Sequence, residues 1–294
     1  MRVLVTGATG YIGEAVTRRL LEAGHEVRAI ARSDGASDRI TALGARPVAG
    51  DLDDPGSLTG VVGDAEALVY AASTDGRTTP AALAALVGQL ADGAVVIYTS
   101  GVWVLGPAGA EPATERSEPA PIALVSWRPA VERSVLAETR LASVVIRPGM
   151  VYGDGGGLLR GFADSGRDDG AARIVGDGAN RWACVHRDDL ADLYVAALER
   201  ATAGQPAVYH GAADGSVTTR SLAEAASRGT GTGGDVVLVS VEEARATLGP
   251  LADALAVDQA LDASWTGDTL GWKPSRIGPL EDLEHGSYQS PQGP

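Results

Sequence analysis

Gly7, Gly10 and Gly13 stand three residues apart. They lie between the apolar run Val3-Leu4-Val5 and an amphipathic run in which Ile12, Val16, Leu20 and Leu21 fall at helical spacing. Strand, glycine turn and helix in that order gather unpaired backbone N–H groups at one point, with the positive end of a helix dipole behind them. A phosphate fits such a point. In a dinucleotide fingerprint, Gly7 takes the tight turn, Gly10 lets the chain approach a pyrophosphate, and Gly13 lets the helix pack closely on the strand. Thr9, Tyr11 and Ile12, set between the glycines, complete the expected cradle. The chain is therefore expected to bind a nucleotide cofactor.

The end of the next apolar run decides which cofactor. Glu26-Val27-Arg28-Ala29-Ile30-Ala31 reads as a strand, and Arg32 and Ser33 follow it, with Arg32 nineteen residues after Gly13. An acidic residue there would take the ribose hydroxyls of NAD, whereas an arginine suits the 2′-phosphate of NADP. Guanidinium on phosphate is a charge-assisted, geometrically matched pair. Asp34 lies two residues later and can still meet the ribose, and a solvated Arg32 beside Asp34 or Asp38 is the competing reading. NADP is expected ahead of NAD.

These residues need a scaffold, and the apolar pattern supplies one. Strands are expected near 2–6, 26–31, 46–49, 67–71, 94–99 and 143–147, with helices near 12–23, 36–43, 79–91 and 129–141 between them. Such alternation predicts an α/β fold, a Rossmann-type doubly wound parallel sheet. Residues 1–150 are expected to form the dinucleotide-binding core. Residues 151–294 are expected to form a small C-terminal substrate lobe interleaved with returning core elements, in one structural unit. The lobe reads as a mobile loop over Gly153–Gly178 with a short helix near Leu158–Asp164. A helix near 188–200 and a strand at Ala207–His210 return to the sheet. A helix at Thr219–Ser227, a strand at Val236–Ser240 and a frayed tail over 285–294 complete it.

A net charge of −14 over 294 residues argues against nucleic acid and anionic membrane surfaces as partners and leaves a small-molecule substrate. The single cysteine, Cys184, excludes an intrachain disulfide and offers no metal cluster, so no metal is expected. No basic-then-apolar leader and no apolar run near about eighteen residues is present, and a soluble, cytoplasmic protein is expected.

The chain resembles the short-chain dehydrogenase/reductase superfamily, in its extended or atypical NAD-dependent epimerase/dehydratase-like branch. The resemblance spans nearly the whole chain. It rests on Thr6-Gly-Ala-Thr-Gly-Tyr-Ile-Gly13, Gly50-Asp51-Leu52, Tyr98-Thr99-Ser100-Gly101, Arg147-Pro148-Gly149-Met150-Val151-Tyr152-Gly153 and Val185-His186-Arg187-Asp188-Asp189-Leu190-Ala191, in that order. It implies that Asp51 and Leu52 lie against the adenine. Ala71, Ala72 and Ser73 would line the adenosine ribose and pyrophosphate, and Pro148, Gly149 and Val151 would hold the nicotinamide.

Catalysis departs from the family's pattern of a Ser or Thr followed by a Tyr-x-x-x-Lys pair. Ser100 matches the first element. Anchoring on Glu132 puts Arg128 in the Lys place and Leu124 in the Tyr place, and no Tyr occurs between 99 and 151. Leucine has no proton to give, and an arginine binds hydroxyls without exchanging its proton. Pro129 suits a first helical position, which would leave residue 124 in a loop. Ser100, Tyr152 and Arg128 are the expected catalytic residues, with Tyr98, Ser126, His186 and water as further acids. Trp103, Trp127, Arg181, Trp182 and His186 are expected to border the substrate.

Two functional classes stay open. One is an NADP-dependent reductase of a carbonyl or conjugated double bond in a small, ring-bearing metabolite. The other is a non-redox isomerase, epimerase or cyclase, or an NADP-sensing binding protein. The related enzymes dimerise through the helices after the fourth and fifth strands. Glu132, Arg133, Glu138 and Arg140 are expected on the exposed positions of the second helix, which predicts a monomer or weak homodimer.

Overall fold

Val3, Leu4 and Val5 are fully buried because their strand lies at the centre of a sheet covered on both faces. The computed structural model describes residues 1–213 and 215–289. Its main sheet is built from β1 (Arg2–Thr6), β2 (Glu26–Ala31), β3 (Arg46–Ala49), β4 (Ala67–Tyr70), β5 (Val95–Thr99) and β6 (Ala142–Pro148). Helices α1 (Tyr11–Glu22), α2 (Asp34–Ala42), α3 (Thr78–Val87) and α4 (Arg128–Leu136) connect them. After the short β7 (Met150–Tyr152) come α5 (Arg160–Asp169), β8 (Ala172–Val175) and β9 (Arg181–His186). Next are α6 (Arg187–Arg200), β10 (Ala207–Gly211), β11 (Ser216–Thr218), α7 (Thr219–Gly229) and β12 (Val236–Val239). The chain then runs through α8 (Val241–Leu248), α9 (Leu251–Leu255), α10 (Ser264–Leu270) and α11 (Pro279–His285).

The seven strands of the main sheet run in the order β3-β2-β1-β4-β5-β6-β10, and every neighbouring pair is parallel. This is the expected Rossmann-type doubly wound arrangement, with α6 carrying the chain back so that β10 becomes a seventh strand beside β6. One face is closed by α1 and α6 through Val16, Leu20, Leu190, Leu193 and Tyr194. The other is closed by α3 and α4 through Leu83, Leu86, Val131 and Val135. Order reverses between β1 and β4, and there the carboxyl ends of the strands open a crevice.

A second cluster, around Phe162, Trp182, Leu222 and Leu283, forms the core of the lobe. Its sheets are β11-β9-β7 and the parallel pair β12-β8. The stretch read as a loop over 153–178 is instead largely α5 and β8. Ion pairs from Asp164 to Arg160 and Arg167 support that helix against its glycines. The tail is also anchored further than expected. Tyr288 is buried, and its hydroxyl accepts from the Gly153 N–H at 2.9 Å and donates to the Gly156 carbonyl at 2.6 Å. Residues 290–294 of the expected frayed tail lie outside the described residues. No helix among the described residues is long and apolar enough to cross a membrane.

Glu132 is not on an exposed position of α4. It is 2% exposed and holds Arg147 of β6 through two hydrogen bonds of 2.6 and 3.1 Å. Glu138, half-buried, and Arg140, exposed, lie past the end of α4, so the exposed positions of α4 are Ala130, Arg133 and Ser134.

Beside Arg147 in the register, His210 of β10 is fully buried, and neither ring nitrogen has a hydrogen-bond partner. Burial, then the charge of Arg147, push its pKa down to about 3, against a smaller opposing effect of Asp262. An unfolded histidine titrates near 6.5. Between those values the unfolded chain holds a proton that the folded chain refuses, so stability is present above pH 6.5 and falls as pH drops toward 3. Urea unfolding at stepped pH should show His210→Leu flattening the slope between about pH 6.5 and 4. His25, also lowered by burial, adds to the slope in that window, and Asp75, Asp253, Asp258 and Asp262, each held below the usual range, add to it as pH nears 4. An unchanged slope in the variant would contradict this assignment.

Candidate active site

The cradle starts from backbone geometry. Gly7 sits at φ +74°, and a β-carbon on it would lie 2.7 Å from the backbone of Ala72. A β-carbon on Gly13 would collide with the Gly7 carbonyl oxygen, so only glycine lets α1 press onto the end of β1. Gly10 caps α1 with no side-chain hydrogen bond, leaving the first N–H groups of the helix without a side-chain cap. Thr6 ties the turn to the strand beyond the reversal. Its carbonyl accepts from the Ala71 N–H and its hydroxyl from the Ala72 N–H. Ser73 follows on the cavity wall.

Tyr11 closes the cradle on the lobe side. Its hydroxyl donates to the Gly153 carbonyl at 2.6 Å, and the Arg187 guanidinium lies over its ring, 4.9 Å from the centroid. Burial raises the phenol far above its ordinary pKa, so Tyr11 stays protonated. Arg187 in turn pairs with Asp154 at 3.0 Å.

At the outer ends of β2 and β3 stand the residues assigned to the adenosine half. Arg32 is exposed and makes no hydrogen bond or ion pair with the described residues. The Ser33 hydroxyl is engaged as the N-cap of α2, accepting from the Ala36 N–H at 3.3 Å. Asp51 accepts from the Asp53 N–H at 3.0 Å and so shapes its own turn, with Leu52 half-buried against the sheet. Arg39, absent from the sequence reading, reaches from α2 to the Thr9 carbonyl at 2.6 Å. Its distance from the glycine motif left no local signal.

A cavity of about 550 Å³ lies at the ends of β4, β5 and β6. Its walls include Tyr11, Ile12 and Ser73, then Pro148, Gly149 and Val151, and also Ser100, Trp103, Leu124, Trp127 and Arg128. Ser100 is 6% exposed, and its hydroxyl has no hydrogen-bond partner; the indole N–H of Trp103 and Nε of Arg128 are also buried without one. Arg128 Nη1 donates to the carbonyls of Ser100 at 2.5 Å and Thr99 at 3.4 Å. Trp127 packs over Gly76 and under the Arg128 guanidinium. Helix α4 begins at Arg128 with Pro129 in its first turn, and Leu124 lies before it in a 3₁₀ turn, Ala123–Val125. The residue in the Tyr place therefore faces the cavity as a leucine, outside the helix. Asp75 also lines the cavity; hydrogen bonds from the N–H groups of Thr78 and Arg77 hold its carboxyl below the usual range. It is not a proton donor at neutral pH.

Several expected residues lie elsewhere. Tyr152 is 2% exposed, donates to the Ile277 carbonyl at 2.7 Å and packs edge-on against His186, away from the cavity wall. His186 is buried, and its Nδ1 accepts from the Asp188 N–H at 3.2 Å as the cap of α6. Tyr98 is buried beside Tyr70 in the core. Ser126 is exposed and off the cavity. Arg181 pairs with Asp258 through bonds of 2.6 and 3.0 Å. Trp182 lines a different cavity, beside Phe162.

Comparison with known proteins agrees with this arrangement. The sequence model of the NAD dependent epimerase/dehydratase family matches residues 3–210. An uncharacterized protein of Schizosaccharomyces pombe is 31% identical, covering 98% of this chain and 100% of its own length. The 2′-dehydrokanamycin reductase of Streptomyces kanamyceticus is 29% identical, covering 100% of this chain and 82% of its own. Among solved structures, dTDP-glucose 4,6-dehydratase from Bacillus anthracis, in complex with NAD, superposes with a TM-score of 0.79 at 17% identity, covering 98% and 96% of the two chains. From the glycine turn after β1 to the strand that closes the main sheet, the chain belongs to the NAD dependent epimerase/dehydratase family.

Proposed function

We propose that this protein is an NADPH-dependent reductase acting on a carbonyl, or on a double bond conjugated to one, in a small ring-bearing substrate. One observation carries the reading. Ser100 Oγ, Trp103 Nε1 and Arg128 Nε are buried donors without partners, and all three residues line one cavity at the reversal of strand order. A buried donor left unpaired costs about 1–3 kcal/mol, so a substrate oxygen entering here recovers free energy that the empty fold lacks. The apolar faces of Trp103, Trp127 and Leu124 suit a flat ring beside that oxygen. Reductase relatives support the same class.

The cradle fits a dinucleotide: glycine where a β-carbon would collide, an uncapped helix N-terminus, and the unpaired cation Arg32 at the end of β2. Pro148, Gly149 and Val151 would hold its nicotinamide, which supplies hydride when bound. Asp51, Leu52, Ala71 and Ala72 would frame the adenosine, and Arg32 would read the 2′-phosphate. Ser100 and Trp103 donate hydrogen bonds to the substrate oxygen and stabilise charge as it develops there. The proton then comes from water by way of Ser100, because the Tyr place holds Leu124. That missing acid also favours a second reading, a non-redox isomerase, epimerase or cyclase on the same cradle; rearrangement of a substrate without NADPH consumption would select it. With no large apolar side chain on the exposed positions of α4, the protein is proposed to act as a monomer or weak homodimer.

Calorimetric titration should show NADPH binding more tightly than NADH. Arg32→Ala should weaken NADPH by about 1.5–3 kcal/mol and leave NADH nearly unchanged. Equal affinities in the native protein would remove the NADP assignment.

A screen of NADPH oxidation against aromatic ketones and enones tests the chemistry. Ser100→Ala should slow turnover roughly ten- to a hundredfold, and Tyr152→Phe should stay within about twofold of the native rate. A large loss in Tyr152→Phe with none in Ser100→Ala would reverse the assignment of the donor.

A further inference from the structure

A second cavity, of about 710 Å³, lies in the lobe between α5, β8, β12, α8 and α9. Gly157 and Leu158 stand on the walls of both cavities, so the second begins where the first ends. Phe162, Ile174, Trp182, Leu238, Leu251 and Leu255 make its surface largely hydrocarbon. The charges on its walls cancel, Arg160 and Arg173 against Asp164 and Glu243; Arg160 pairs with Asp164 at 2.9 Å, and Arg173 pairs at 3.2 Å with Asp169, which lies off the walls. A nucleoside diphosphate would bring two or more negative charges to walls that offer no surplus cation, on a chain of net charge −14. At the rim, Val237, Leu238 and Leu248 are 47%, 48% and 41% exposed. Such a cluster of large apolar side chains marks a place that binds something apolar.

We infer that the substrate has two parts. Its oxygen-bearing head sits in the first cavity, and an uncharged hydrocarbon tail passes Leu158 into the second. The inference rests on the reductase reading only for the head; the tail site follows from the lining and charge balance of the second cavity. Trp182, whose indole N–H is buried without a partner, can accommodate one ester or ether oxygen along that tail. Leu158, standing between the two cavities, becomes the residue that sets how bulky a tail can enter.

Calorimetry with the 1-alkanols from butanol to decanol tests the tail site without turnover. Affinity should rise roughly fourfold per methylene, as expected for burial of each CH₂, and level off once the cavity is filled. Leu238→Asp and Leu248→Asp, both at exposed positions, should remove the increments of the later methylenes while NADPH affinity is unchanged. Affinity independent of chain length in the native protein would overturn the inference, as would the same slope persisting in both variants. If those variants instead convert a dimer to a monomer in sedimentation and leave the slope intact, the rim is a contact between copies and the tail site falls. A slope that appears as expected while aryl ketones carrying the matching alkyl chains consume no NADPH upholds the tail site and removes the reductase reading alone.

Discussion

The approach of α1 to the end of β1 is the constraint from which the rest of the site follows. With no β-carbon on Gly13, the helix seats against the Gly7 carbonyl, and the turn is pushed against the backbone of Ala71 and Ala72, just past β4. That contact sets the width of the crevice where strand order reverses. It also fixes Tyr11 at the first helical position, from which its hydroxyl reaches the Gly153 carbonyl. Tyr288 holds the same segment from the other side, through Gly153 and Gly156. Arg187, at the start of α6, lies over the Tyr11 ring and pairs with Asp154. Cradle and lobe are thus fastened through one short glycine-rich segment, and both cavities border its last residue, Gly157.

A second fastening lies under the chemistry. Glu132 and Arg147 form a buried pair that links α4 to β6. Such a pair adds little net stability against an apolar replacement, but losing one partner strands a buried charge. Its consequence here is positional. It anchors α4, whose first residue, Arg128, grips the carbonyls of Thr99 and Ser100. Ser100 is also held by its own N–H on the Ile146 carbonyl. Its hydroxyl is left as the free group on a residue whose backbone cannot drift, which is the condition for a preorganised donor.

The sheet was legible in the sequence because strands buried on both faces read as short apolar runs, as Val3–Val5, Leu68–Tyr70 and Val95–Tyr98 do. The cradle was legible for a related reason: glycine at 7, 10 and 13 is a local requirement of the backbone. The lobe was not. Strands of three residues such as β7 and β11 carry too few positions for a pattern, and α5 is held by Arg–Asp pairs and the lobe core in spite of Gly161 and Gly166. Tyr152 shows how a correct neighbourhood still misplaces a side chain. Val151 faces the cavity, and because successive residues of a strand point to opposite sides, Tyr152 turns inward to the Ile277 carbonyl. The pairing of Arg181 with Asp258 and the reach of Arg39 to Thr9 depend on the folded path between distant segments, and no local spacing announces them.

On the reductase reading, Leu124 in the Tyr place leaves the site with donors and no phenol. Reduction of a carbonyl needs charge on its oxygen stabilised as hydride arrives, and a proton afterwards from any nearby donor. Fixed N–H and O–H groups meet the first need, and water meets the second. Oxidation of an alcohol needs a base to take the hydroxyl proton in the transition state. Ser100, Trp103 and Leu124 provide none, Asp75 is held ionised but already accepts two backbone N–H groups, and the Arg128 guanidinium donates and does not accept. The route that delivers the proton in reduction must take it back in oxidation. The supply of reduced cofactor and not the side chains therefore sets the net direction, and Leu124 puts an apolar wall where the phenol would have stood.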